Sequence, residues 1–180
     1  MIDEPKLLEQ LKSSETREQA YRDLVILYKE RLYWHIRNIV KSHDDADDVL
    51  QNTFIKVFKN IQKFKGDSKL FSWMYRIATN ESITFINNKA NRLKITNEEV
   101  QQLAINNLTA DVYFEGDAMQ LKLQKAIATL PEKQQLVFNM KYFQDLKYRE
   151  ISKILETSEG ALKASYHIAV KKIEAYLTNN

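Results

Sequence analysis

The chain has no cysteine, only three glycines, two prolines and three histidines in 180 residues, and no long apolar run. Each shortage removes a class of protein. Without cysteine there are no disulfides, no thiolate metal centre and no thiol chemistry, a composition that suits a reducing cytoplasm. So little glycine and proline leaves no material for a barrel, a sandwich or a phosphate-cradling loop. No stretch reaches the roughly 18 apolar residues of a membrane span, and MIDEPKLLEQ lacks the basic-then-apolar order of a secretion signal. No membrane insertion is expected, and the cytoplasm is the expected location. A net charge of +3 is too small for bulk attraction to an anionic partner, so any nucleic-acid surface has to come from local clustering.

What is abundant is apolar residue and helix former. Hydrophobic residues make up 44% of the chain, enough for one ordinary domain or two small ones, and the excess of Leu, Ile, Lys, Glu and Gln favours an all-α fold. From Ala20 to Val40 the residues Tyr21, Leu24, Val25, Tyr28, Leu32, Ile36 and Ile39 recur at three- and four-residue steps, which gives one helix a continuous apolar stripe. A second helix is predicted from Asp45 to Lys63 with Ala46, Val49, Leu50, Thr53 and Val57 inward. A third follows KFKGDSK, where Gly66 breaks the pattern and Asp67 or Ser68 is placed to cap; Leu70, Phe71, Met74, Ile77, Ala78 and Phe85 form its buried side. These stripes close on one another as a bundle behind a short amino-terminal arm, over residues 1–95.

Residues 96–118 differ. Glu98, Glu99, Asp111, Glu115 and Asp117 occur there with no lysine or arginine, which reads as an acidic linker. Its Leu103, Ile105, Leu108, Val112, Tyr113 and Phe114 give it parts able to dock. Residues 119–180 read as four helices: Leu121 to Leu130, a helix opened by Pro131 toward Tyr142, YREISKILE, and, after a break at Thr157 and Ser158, EGALKASYHIAVKKIEAYL. A short helix, a tight turn and a longer basic helix follow the helix-turn-helix plan. The expected architecture is therefore two small helical domains joined by an acidic linker, the second with a helix-turn-helix.

Three signals carry chemistry. In HDDADDVLQNTF, residues Asp44, Asp48, Gln51, Asn52 and Ile55 project opposite the apolar stripe. A transition metal lacks ligands here, a calcium loop lacks its glycine, and paired catalytic acids would need an apolar wall. A solvated helix start, where acids favour the dipole, and a face that docks a protein both remain. The second signal places Lys69, Arg76, Asn80, Thr84 and Asn87 around Trp73 on one helix face, cations and amides beside an aromatic, as a strand with unstacked bases requires. A partly buried Trp73 that only supports its neighbours is the plainer alternative. The third signal is the last helix, where Leu162, Tyr166, Ala169 and Ile173 face inward and leave Lys163, Ala164, His167 and Lys171 outward, with Lys172 at the flank and Ser158 as cap. Lysines there attract phosphate, and short side chains leave room for base edges.

The stretches YRDLVILYKERLYWHI, DDADDVLQNTFIKVFKNIQKFKGDSKLFSWMYRIATN and LPEKQQLVFNMKYFQDLKYREISKILETSEGALKAS, in this order, resemble the extracytoplasmic-function group of bacterial RNA polymerase sigma factors, with wording similar to members from the Bacteroidetes. The resemblance implies that the first bundle corresponds to sigma region two and the last four helices to region four. It implies that Asp44, Asp47, Asp48, Gln51 and the neighbouring Asn52 dock on core RNA polymerase. It further implies that Lys65, Gly66, Asp67, Ser68 and Lys69 capture a flipped base of the −10 element, with Trp73, Arg76, Asn80, Asn87 and Asn88 beside them on duplex and melted non-template strand. Ser158, Glu159, Gly160, Lys163, Ala164, His167, Lys171 and Lys172 would meet the −35 element. Neither catalysis nor a cofactor is implied, and such factors are commonly restrained by a dedicated anti-sigma factor. The chain departs from the group at Ser165, Ile168 and Val170, where arginine is usual, and at Lys147, where a serine cap is common. A helix-turn-helix regulator that binds duplex operator without polymerase, and a helical adaptor with no DNA role, are the competing readings.

Overall fold

The computed structural model describes residues 4–106 and 118–179, which are helical apart from short connections. Helix α1 (Glu4–Lys12) is the arm; α2 (Arg17–Val40), α3 (His43–Asn60) and α4 (Leu70–Leu93) form the bundle, with a 3-10 turn, Ile61–Lys63, extending α3. Every residue expected inward on α3 is buried, as are Leu24, Tyr28, Leu32, Ile36 and Ile39 of α2 and Leu70, Phe71, Met74 and Ala78 of α4; Tyr21, Val25, Ile77 and Phe85 lie half-buried at the margin. The α4 stripe is harder to read in sequence because small hydroxyls share its inner face. Thr79 and Ser82 donate to the carbonyls of Tyr75 and Ala78 one turn back, so burial leaves neither unsatisfied.

The acidic segment is partly helical. Helix α5 (Asn97–Asn106) opens with a reciprocal capping box, in which the Thr96 N–H donates to Glu99 and the Glu99 N–H donates to Thr96 Oγ1, and it buries Val100 and Ile105. Leu108, Asp111, Val112, Tyr113, Phe114, Glu115 and Asp117 lie outside the described residues.

Helices α6 (Ala118–Ala128), α7 (Glu132–Tyr142), α8 (Tyr148–Leu155) and α9 (Glu159–Asn179) follow. Ala126, Ile127, Leu130, Phe138, Ala169 and Ile173 make a small core of their own, and Phe138 stacks with Tyr166 at 5.8 Å. Leu136, Val137, Met140, Leu146, Ile151 and Ile154 belong instead to the main core, together with the bundle. The carboxy-terminal half is thereby packed onto α2 and α4.

Polar contacts fix that packing. Buried Asn139 donates to the Asn38 carbonyl, and buried Lys41, at the left-handed end of α2, donates to Gln124 of α6. Burial pulls the Lys41 ammonium down to about 7. Fully buried His35 stacks on Tyr75 at 4.6 Å, and burial pulls its pKa down to about 3. As a neutral imidazole it accepts from Gln144 at Nδ1 and donates to Thr79 from Nε2, and Thr79 donates onward to Tyr75. One directed chain of hydrogen bonds thus joins the α7–α8 connection, α2 and α4.

Candidate nucleic-acid and partner interfaces

On α3, Ser42 caps the helix by accepting from the Asp45 N–H, and the carboxylates of the first turns complement the dipole. Beyond that local role they divide. Asp45 turns inward to an ion pair with Lys89, and Asp47 is half-buried 3.7 Å from His43. Asp44, Asp48, Gln51 and Asn52 stand exposed on the outer face, continued by a half-exposed Ile55. Among the described residues no three acidic or histidine side chains gather where a metal could sit. Sequence reasoning passed over Trp34, which is 49% exposed and packs edge-on against Tyr33, whose hydroxyl bonds His43 at the start of the acidic helix. The signal was present, since Trp34 falls outside the α2 stripe of Leu32, Ile36 and Ile39. Ile55 adds an exposed apolar residue to the acidic face.

The Lys65–Lys69 loop leaves Lys65, Gly66, Asp67 and Lys69 exposed and Ser68 half-buried. Gly66 has φ +82°, and a side chain there would meet nothing within 4 Å; glycine is favoured by the backbone, not by crowding. The expected cap is different from the one observed. Neither Asp67 nor Ser68 caps α4: the cap position is Lys69, which offers no acceptor, and the Leu70 N–H donates instead to Glu4 of the arm. Lysine's ammonium has only donors, so the acceptor comes from elsewhere in the chain. Trp73 is half-buried, tilted 5.2 Å from Phe64 at the start of the loop, and packs against the core. Asn80, Thr84, Asn87 and Asn88 are exposed along α4, although Asn87 accepts from Asn97 at the start of α5.

Two cations of this face, Lys69 and Arg76, are already paired with Glu150 of α8 and with Glu156 just past its end. Lys69 Nζ lies 3.0 Å from Glu150 and Arg76 2.6 Å from Glu156. Burial works to raise the Glu150 pKa, but hydrogen bonds from Lys69 and the Lys147 N–H and their charges outweigh it and hold it below the usual value. Lys147, lacking a capping oxygen of its own, thus has its N–H satisfied by Glu150. Between loop and α8 lies a cleft of about 680 Å³, lined by Phe64, Lys65, Trp73 and Arg76 on one side and Ser152, Lys153 and Glu156 on the other.

On α9 the inward set is Leu162, Ala169 and Ile173 with Tyr166 half-buried, and Ser158 Oγ accepts from the Ala161 N–H. Ser158, Glu159, Gly160, Lys163, Ala164, His167, Lys171 and Lys172 are all exposed. Among the described residues none of the three lysines forms an ion pair, though Lys163 Nζ sits 5.7 Å over the Tyr148 ring. Ser165 and Val170 are half-buried and Ile168 is 44% exposed, so two of the three sites where arginine is usual are poorly placed for solvent.

The family described as Sigma-70 region 2 matches residues 24–92, and Sigma-70, region 4 matches residues 120–173. The ECF RNA polymerase sigma factor SigW of Bacillus subtilis is 29% identical, with 90% of each chain aligned. The ECF RNA polymerase sigma-E factor of Haemophilus influenzae is 26% identical over 87% of this chain and 86% of that one. Among solved structures, CnrH in its complex with the cytosolic domain of CnrY superposes with a TM-score of 0.72 at 20% identity, covering 98% of both chains. RpoE of Bartonella quintana, in complex with the anti-sigma factor NepR, gives 0.67 at 16% identity over 88% of this chain and 96% of that one. With both regions present in order and relatives aligned over most of each chain, the chain belongs to the extracytoplasmic-function group of sigma-70 factors and directs transcription initiation.

Proposed function

We propose that each of the three surfaces carries one step of initiation. The acidic face of α3, with Asp44, Asp47, Asp48, Gln51 and Asn52, docks on core RNA polymerase. The Lys65–Lys69 loop, backed by Trp73 and flanked by Arg76, Asn80, Asn87 and Asn88, captures the −10 element and holds the melted strand. The face from Ser158 to Lys172 on α9 reads the −35 element. The observation that carries this reading is charge separation: acids occupy the outside of α3, while Lys65, Lys69 and Arg76 occupy the loop and α4. Acids beside phosphate would repel it, whereas turned toward a cationic protein they orient the bundle.

The same reading divides the chain into residues 1–95, a linker 96–118 and 119–180, and places its action in the cytoplasm without catalysis of its own. CnrH and RpoE were solved in complexes with other proteins, the latter with an anti-sigma factor, which supports a dedicated anti-sigma factor for this chain as well. The similarity of wording supports a Bacteroidetes-type member.

The decisive experiment uses Lys65→Ala with Lys69→Ala in holoenzyme. Initiation should fail selectively on closed linear duplex and recover on a template mismatched across the −10 region, because pre-opening removes the few kcal/mol of unstacking that the loop offsets. Equal activity of variant and wild type on both templates would sink the assignment of the loop.

A further inference from the structure

The arm α1 precedes residue 24, where the region 2 match begins, yet its polar groups go to the two ends of the promoter loop. On the upstream side Lys12 Nζ donates to the Phe64 carbonyl at 2.9 Å, and the Lys12 carbonyl accepts from Gln62 at 3.1 Å. On the downstream side Glu4 Oε1 accepts from the Leu70 N–H at 2.7 Å. Phe64 and Leu70 are the residues immediately before and after Lys65–Lys69. Leu7 and Leu11 are buried and anchor the arm between these contacts, and Arg17 just beyond it donates to the Phe58 carbonyl.

Both contacts fill a need that the local sequence leaves open. Lys69 at the cap position of α4 has no acceptor, so without Glu4 the Leu70 N–H has no partner in the loop. The loop itself is exposed at four of its five residues and cannot define its own width through packing. Glu4 and Lys12 lie eight residues apart in one helix, a rigid span of about 12 Å. A pocket that must repay base extrusion gains from being held in shape beforehand.

We propose that α1 is a brace setting the mouth of the Lys65–Lys69 loop, with Glu4 and Lys12 as positioning residues for promoter opening. The proposal rests on the assignment of that loop to base capture. The test compares three full-length variants in holoenzyme: E4A/K12M, which loses both contacts; E4Q/K12R, which keeps an acceptor and a donor; and K65A/K69A. Opening rates are measured on closed duplex and on the −10-mismatched template, with amide exchange at Leu70 as a separate reading. E4A/K12M should open closed duplex about tenfold more slowly, as the loss of a cap predicts. It should match wild type on the mismatched template, bind core polymerase normally and expose the Leu70 amide, while E4Q/K12R restores the rate. A wild-type rate for E4A/K12M beside a slow K65A/K69A would overturn the brace and leave the loop assignment standing. Normal opening by K65A/K69A would remove that assignment and the brace with it. Equal loss on both templates with weaker core binding would mean that the arm serves only folding, and would also overturn the proposal.

Discussion

The two surfaces assigned to promoter DNA stand in opposite states. On α9 the lysines point to solvent and, among the described residues, meet no carboxylate; on α4 and its loop, Lys69 and Arg76 are held by Glu150 and Glu156. Glu150 belongs to α8, the first helix of the helix-turn-helix, and Glu156 directly follows it, so one half of the molecule covers the face proposed for DNA on the other. A carboxylate pair in this place presents the cations with what a phosphate would. The difference teaches that free cations alone do not mark a nucleic-acid face; intramolecular pairing can occupy it. Exposed ion pairs contribute only about 0 to 1 kcal/mol each. The covering is therefore held chiefly by apolar contacts such as Ile151 and Ile154 and by the chain through His35.

The largest effect should come from the surface that touches neither DNA face. Asp44→Lys with Asp48→Lys should abolish co-elution with core polymerase, a loss of several kcal/mol at a complementary interface, while circular dichroism stays unchanged because both residues are exposed. Undiminished co-elution would exclude α3 as the docking face.

Acid should next break the covering. His35 has a folded pKa of about 3 against an ordinary 6.5, so its contribution to stability is complete above pH 6.5 and is lost as pH falls toward 3. Between pH 6.5 and 5 this amounts to about 2 kcal/mol. Urea midpoints should fall across that window in the wild type and fall less in His35→Gln; parallel slopes would mean that other groups dominate.

The open face should respond to salt. Lys163→Ala with Lys171→Ala should weaken binding to a −35 duplex and reduce the logarithmic salt slope by about two phosphate equivalents. An unchanged slope would remove α9 as the reader. The smallest effect is expected at the covered face, where Glu150→Gln with Glu156→Gln should raise the free protein's affinity for single-stranded −10 DNA by a few fold, as surface pairs predict. No gain would show that apolar packing alone does the covering.

Helix existence and facing were legible because they depend on local periodicity: Val49, Leu50 and Val57 on α3, and Leu162, Ala169 and Ile173 on α9, are buried as their spacing requires. The exposed positions of Asp44, Asp48, Lys163 and Lys171 follow from the same wheels. What was not legible depends on contacts distant in sequence. Glu4 capping Leu70 spans 66 positions and Gln144 bonding His35 spans 109, and no periodicity encodes either. Helix α5 is an intermediate case. Its Thr96 and Glu99 carry a readable capping box, but the acidic composition around them pointed to a tether.

The φ of +82° at Gly66 sets what selection can do with the loop. If positions 65 to 69 were randomised together, the side chains proposed to meet DNA would be free to drift toward other promoter sequences. Position 66 would keep returning glycine, with asparagine or aspartate as the tolerable substitutes, since the restriction lies in the backbone while space around it is open. Divergence of promoter preference among descendants of this chain would then pass through Lys65, Asp67, Ser68 and Lys69 around one fixed pivot.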